Sequence, residues 1–394
     1  MNSELIPERP NQEGVERDDS PYVLESSLDS LTAALIADRQ SQTGALLSKR
    51  IDRAGYVVPD LTGVGDESAK VQAAVDLAYA QGWPLVFPAG TYTMGEITIP
   101  GEVMRISGAG ANWGGTILKP APGAEFIIRT RTGAILRDLA FHLDGVETVA
   151  IDITNTSRAL IDNIYIYGSS TRDSERAGVG IHLWGTSASN SAHANRIQNV
   201  MIVRCRRGIW GRSYCYDTEA LNLWVALCSE QGIRLNDGGH MFTNIHVWEC
   251  DSHGLYLIAC GGSRFVNMYL EHNKGYGLFS GSYDVFGATF VGVRLWRNEL
   301  GGARTQYGKR DRFIGCDIQE NNGVGLNFYN HTDAIVQGCV FYDERPTKTQ
   351  AYGIVSAGDS DRIIVMGCNA PDDHHVNFGI RLVGTSNQVL GNIT

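Results

Sequence analysis

The chain has no surplus of positive charge. Lys and Arg number 33 against 43 Asp and Glu, a formal net charge of −10. Non-specific binding to nucleic acid or to an anionic membrane works through basic clusters, so neither is expected. No apolar run approaches the roughly 18 residues of a membrane span, so membrane insertion is not expected either. The opening stretch "MNSELIPERPNQEGVERDDSPY" lacks an apolar signal core, which argues against Sec export. The eight cysteines form no CxxC pair and no Cys/His zinc spacing. They read as buried, reduced thiols, and no metal or cofactor is expected from them. "DDHH", Asp372 to His375, reads as a solvated loop before it reads as a metal site.

Glycine, by contrast, is abundant at 46 residues, which implies many turns. The turns recur. A Gly, Asn or Asp follows an apolar pair and opens a strand-like run at Asp138, Asn163, Asn199, Asn222, Asn244, Asn267, Gly292, Gly315, Gly338, Gly367 and Gly391. Most spacings are about 22 to 25 residues. Six residues after the anchor stand Cys205, Cys228, Cys250, Asn273, Asn298 and Asn321; two before it stand Phe242, Phe265, Phe290 and Phe313; one after it stand Cys316, Cys339 and Cys368. A second strand opens with Gly in "GIRL" at 232, "GLYL" at 254, "GLNF" at 325 and "GIRL" at 379. So short a repeat cannot bury a face alone, but stacked repeats can. The expected fold is all-β: a single-stranded, right-handed parallel β-helix of about eleven coils. Like residues then stack on like, the Phe row in the core and the Asn and Cys rows at a bend.

Residues 60 to 92, "DLTGVGDESAKVQAAVDLAYAQGWPLVFPAGTY", resemble the entry to pectate-lyase-like right-handed parallel β-helices of the phage tailspike and depolymerase type. Val71, Ala74, Val75 and Ala78 give one apolar face to an expected helix over 66–81, with Asp66 as a cap. The helix would plug the open end of the solenoid. The resemblance covers about residues 57–394. It implies fold but not chemistry, because the superfamily holds lyases, hydrolases, epimerases, fructotransferases and non-catalytic proteins. No linked Asp motif of polygalacturonases and no Ca²⁺-binding acid cluster of pectate lyases is recognisable, so no catalytic residue carries over. Ahead of the β-helix, residues 1–21 read as a polar arm or linker and residues 22–56 as a helical assembly segment. Leu24, Leu28, Leu31 and Leu35 form a short coiled-coil seam there.

Alternation along each strand puts positions two and four after the anchor outside. Position two reads Met201, Trp224, His246, Tyr269, Arg294, Asp317 along the axis; position four reads Val203, Ala226, Trp248, Glu271, Trp296, Gln319, Tyr342. The candidate glycan-binding residues are therefore Trp224, His246, Trp248, Tyr269, Arg294 and Trp296. Rings stack on the apolar C–H faces of sugars, and polar groups bond hydroxyls. A subunit interface uses the same residue types. Met201 and Val203 are apolar and outward, and a cover from residues 22–50 or another subunit is expected over them. Glu271, Asp317 and Glu249 are the candidate catalytic acids, with Glu271 and Asp317 about 9 to 10 Å apart by strand spacing. Asp217 and Glu219 are a second choice.

The reading implied by the resemblance is a tailspike-like homotrimer that binds and cleaves a cell-surface polysaccharide, its arm held by a larger assembly such as a phage tail. A virion protein made in a host cytoplasm needs no leader. The alternatives are a stand-alone carbohydrate enzyme (a polysaccharide lyase or an inulin-fructotransferase-like transferase), cytoplasmic or exported without a Sec leader, and a non-catalytic tail or adhesion protein.

Overall fold

The repeat anchors turn the chain. All eleven, from Asp138 (φ 59°) to Gly391 (φ 58°), adopt the left-handed conformation. Glycine has no Cβ to clash there, and Asn and Asp tolerate it better than other residues. The anchor row holds only these three residue types. A second left-handed row lies five residues later, at Arg204, Leu227, Glu249, His272, Arg297 and Glu320. Between and beyond these corners the backbone is extended.

The computed structural model describes residues 55–112, 114–169, 177–281 and 286–393. It is a right-handed parallel β-helix. One sheet has eighteen strands and a second has twelve, one strand per turn, and every pairing between them is parallel. The anchor divides each coil's contribution to the larger sheet. With Asn at the anchor, the strand runs through it, as in Arg264–Glu271. With Gly it splits, as in Thr289–Val291 and Arg294–Trp296. Inward residues pack into one continuous core. Phe242, Phe265, Phe290 and Phe313 form the expected stack, with centroids 5.9, 5.2 and 4.7 Å apart.

Amide ladders run along the axis at two levels. Inside, Asn273 Nδ2 donates to Asn298 Oδ1 (2.9 Å) and Asn298 Nδ2 to Asn321 Oδ1 (3.0 Å), all fully buried. Gln350 continues the row, accepting from the Asn321 backbone N–H at 3.2 Å. Outside, the anchor amides repeat the pattern: Asn222 to Asn199, Asn244 to Asn222 and Asn267 to Asn244, at 3.1, 3.2 and 2.8 Å. The buried amides of the inner row, Asn273, Asn298 and Asn321, thus meet partners, which matters because an orphaned one costs about 1–3 kcal/mol. All eight cysteines are free and buried.

Helix α1, Ser68–Gln81, closes the N-terminal end with Val71, Val75 and Ala78 fully buried. It begins two residues later than expected. Asp66 Oδ1 accepts from the Ser68 N–H (2.9 Å), while Asp66 itself pairs in a β-bridge with Thr93. Gly82, left-handed at φ 65°, ends the helix. The expected arm and leucine seam (residues 1–50) lie outside the described residues. One expectation needs correction: Val203 is only 7% exposed and Ala226 not at all, so the fourth position is outward in direction but covered at these two coils. Their short side chains pair with the longer Tyr167 and Trp248 of the neighbouring coils.

Candidate functional site

The outward rows are in register. Met201, Trp224, His246, Tyr269, Arg294 and Asp317 pair one coil to the next, as do Trp248, Glu271, Trp296 and Gln319. Successive strands stand about 4.8 Å apart, so side chains of neighbouring coils touch. His246 and Tyr269 stack at 4.7 Å with planes 9° apart, and Trp248 lies 4.4 Å from the His246 ring. Glu271 joins them: its Oε1 is 2.7 Å from His246 Nε2. Burial, then the hydrogen bond to Glu271, push the Tyr269 phenol up to about 12. Arg294 lays its guanidinium over Tyr269 (5.0 Å) and Trp296 (5.3 Å).

The remaining acids divide into committed and uncommitted. Glu320 accepts from Trp296 Nε1 (3.1 Å) and Arg297 Nε (2.7 Å), which makes it a positioning residue for that ring. Asp317 is 3.6 Å from Arg294 Nε, too long for a hydrogen bond. Arg294 Nε and Asp317 Oδ1 are buried without a hydrogen-bond partner among the described residues. Burial raises the Asp317 carboxyl above the ordinary range against the opposing pull of Arg294. Glu249 occupies a left-handed corner (φ 52°), its N–H donating to the Glu271 carbonyl.

Glu271 and Asp317 do not converge. They lie two coils apart and also two residues apart along the strand, about 12 Å between Cα atoms. Spacing by coils alone left out that stagger. Glu271 moreover leans toward His246, in the coil on the far side from Asp317. The structure instead brings together His246, Tyr269, Glu271 and Arg294.

Two grooves flank the anchor ladder on this face. One, of about 450 Å³, is floored by Tyr165, Met201 and Trp224 and by the amides of Asn199, Asn222 and Asn244. Trp224 is 57% exposed. The other, of about 400 Å³, holds the second-choice acids Asp217 and Glu219 with Arg158, Arg196 and Met241. Arg196 Nη2 bonds Glu219 at 2.6 Å. "DDHH" is not a plain solvated loop: Asp372–His374 form a 3₁₀ turn, Asp372 Oδ1 accepts from the Gly379 N–H (2.7 Å), and His375 is buried against Pro371 and Gln350. Among the described residues no group of three or more His, Cys, Asp or Glu could hold a metal.

Sequence reasoning missed a second outward row, on the twelve-stranded sheet. Arg129, Asp152, His182, Trp210, Arg234, Tyr256, Phe279, Arg304 and Asn327 stack in register. The signal was present in the third residues of "GIRL", "GLYL" and "GLNF", which alternation sends outward. Asp152 bonds His182 Nδ1 (3.1 Å), Thr154 and Arg129. Burial alone would raise its carboxyl, but those bonds hold it below the ordinary range. Arg212 lies over both Trp184 (4.7 Å) and Trp210 (5.1 Å), Arg234 over Tyr256 and Arg304 over Tyr329.

A family model described as "Right handed beta helix region" matches residues 231–393. No curated protein matches the sequence. Among solved structures, the A-module of a mannuronan C-5 epimerase from Azotobacter vinelandii is similar at TM-score 0.61 and 16% identity, over 84% of this chain and 96% of that one. The Dettilon tailspike protein is similar at TM-score 0.61 and 11% identity, over 84% and 70%. DFA-IIIase from Arthrobacter chlorophenolicus A6 is similar at TM-score 0.61 and 13% identity, over 83% and 98%. At such identities the likeness establishes the fold: the chain is a right-handed parallel β-helix protein, and its structural neighbours include phage tailspikes and carbohydrate-acting enzymes. No helix among the described residues is long and apolar enough to cross a membrane.

Proposed function

We propose that the protein is tailspike-like: it binds a cell-surface polysaccharide along the eighteen-stranded face and cleaves it there. The observation that carries this reading is the cluster in the middle of the aromatic stripe, where His246 bonds Glu271 and stacks on Tyr269, with the Arg294 guanidinium over the Tyr269 ring. Trp224, Trp248 and Trp296 extend the stripe on either side and offer faces for sugar C–H groups. The tailspikes among the structural neighbours support a homotrimer whose arm, residues 1–21, joins a phage tail. Deleting the arm should abolish that assembly; a stand-alone enzyme would be indifferent to it.

The cluster suits β-elimination at a uronate. His246 Nε2 faces Glu271, which leaves Nδ1 to take the proton α to the sugar carboxylate. Glu271 would then hold the imidazolium, while Arg294 pairs with the uronate. Tyr269, protonated at neutral pH, gives its proton to the departing glycosidic oxygen. One C–H and one C–O bond break, a C=C bond forms, and no water is consumed. Hydrolysis by Glu271 with Asp317 would require Glu271 to leave His246. Products separate the two: an unsaturated uronate absorbs in the ultraviolet, whereas hydrolysis releases reducing ends alone. Binding of host capsule or lipopolysaccharide with no oligosaccharide released would make the protein an adhesin.

The buried Asp152–His182 pair, beside rings capped by Arg212, favours a second reading in which the glycan lies on the twelve-stranded face. His182 Nε2 is buried with no hydrogen-bond partner among the described residues, so a side chain would have to move before it could act. His246 and Glu271 are partly exposed, which puts the first face ahead.

A further inference from the structure

The stripe changes character along its length. Its first groove, from Tyr165 to Trp224, has no charged side chain among the described residues that line it. What it offers a ligand is apolar area from Tyr165, Met201 and Trp224 beside the amides of Asn199, Asn222 and Asn244. The outer amides already bond one another along the axis, Asn222 to Asn199 and Asn244 to Asn222, so their spare capacity suits hydroxyl groups. A carboxylate placed there would lose its water and meet no cation.

Three coils further on lies the opposite environment. Arg294 stands about 14 Å along the axis from Trp224, three strand spacings away. The neighbouring basic groups are taken: Arg297 by Glu320 at 2.7 Å and His246 by Glu271 at 2.7 Å. Arg294 is held more loosely: it makes one long ion pair with Asp317, 3.6 Å at Nε, and that Nε has no hydrogen-bond partner among the described residues. Its guanidinium is fixed over Tyr269 and Trp296, so its orientation is set before any ligand arrives.

We infer that the polysaccharide is a mixed one, with uncharged sugar units seated at Tyr165–Trp224 and an acidic unit presented about three coils away at Arg294. This inference rests on the eighteen-stranded face being the glycan site, and it fixes both the composition of the chain and its polarity on the protein. An all-acidic polymer would put carboxylates against Trp224, and an all-neutral one would leave Arg294 with its long ion pair to Asp317 alone.

The test is an immobilised glycan series read with the whole protein. It comprises dextran oligosaccharides (all neutral), oligogalacturonate (all acidic), and hyaluronan oligosaccharides before and after carboxyl reduction. Native hyaluronan, alternating acidic and neutral units, should bind best, and carboxyl reduction should weaken it. Arg294→Gln should weaken native hyaluronan about tenfold and leave its carboxyl-reduced form unchanged. It should also lower the salt dependence. Trp224→Ala should weaken both forms alike by about tenfold, with the salt dependence unchanged. Oligogalacturonate binding as tightly as hyaluronan, or Arg294→Gln weakening native and reduced chains equally, would overturn the inference while leaving the glycan face standing. Binding to none of the four would remove the polysaccharide reading and this inference with it.

Discussion

The two outward faces of the solenoid use the same side chains to different ends. Each carries rings, arginines and a His–carboxylate pair, because each sheet repeats its outward positions coil by coil. On the eighteen-stranded face the pair is His246–Glu271, with side chains 31% and 13% exposed. On the twelve-stranded face it is His182–Asp152, 9% and 4% exposed. A desolvated carboxylate persists when several donors hold it, and Asp152 has three, from Arg129, Thr154 and His182. Glu271 has fewer bonds and more solvent. Residue type alone does not distinguish a structural ion pair from an accessible one; the depth at which the pair sits and the number of its bonds do.

The largest effect that would separate the faces is on turnover. Glu271→Gln should lower cleavage by about two to four orders of magnitude with binding retained, as expected for loss of a group supporting acid–base chemistry. Asp152→Asn should instead lower the melting temperature and leave the turnover of the folded protein near wild type. Initial rates on host polysaccharide, paired with thermal melts, check both. The reverse pattern would exchange the roles of the faces.

The core beneath both faces comes next. Phe265 is fully buried, with its ring stacked on Phe290 and against Phe242. Phe265→Ala should destabilise by about 3–5 kcal/mol, and the loss should spread to adjacent coils because each repeat leans on its neighbours. Chemical denaturation gives the total, and amide exchange gives the spread. An unchanged midpoint would contradict the register from which both outward rows are read.

A smaller effect concerns binding. Trp248→Ala should weaken glycan binding by roughly 1–2 kcal/mol with the fold intact, whereas Trp210→Ala should not change it. Calorimetric titration checks the pair.

The smallest effect is on the pH dependence of stability. His253 packs on Phe279 at 4.7 Å, and burial pulls its imidazole down to about 4. The unfolded chain, with an ordinary imidazole near 6.5, binds more protons than the folded one between those values. The contribution is therefore complete above about pH 6.5 and is lost as pH falls toward 4. His253→Phe should flatten the melting temperature against pH across that window.

The repeat was legible because one left-handed corner of each coil draws on a narrow set of residues. Only Gly, Asn and Asp fill the anchor row, and the structure puts every one at positive φ. Core rows were legible for a related reason: Phe242 to Phe313 and Asn273 to Asn321 must match themselves along the axis. The outward stripe was legible in direction through alternation. Its depth was not, and Val203 and Ala226 prove buried where a larger side chain would have emerged. The Glu271–Asp317 pair failed to converge because coil spacing was counted without stagger along the strand. Arg234 and Tyr256 went unread because their tetrads were used to fix register alone.

The glycan face itself can be tested by oxidative footprinting of the whole protein with and without host polysaccharide. Protection of Trp224, Trp248 and Trp296, with Trp184 and Trp210 unchanged, is the expected result. Protection of Trp184 and Trp210 in their place would move the site to the twelve-stranded face and contradict the function proposed for the stripe.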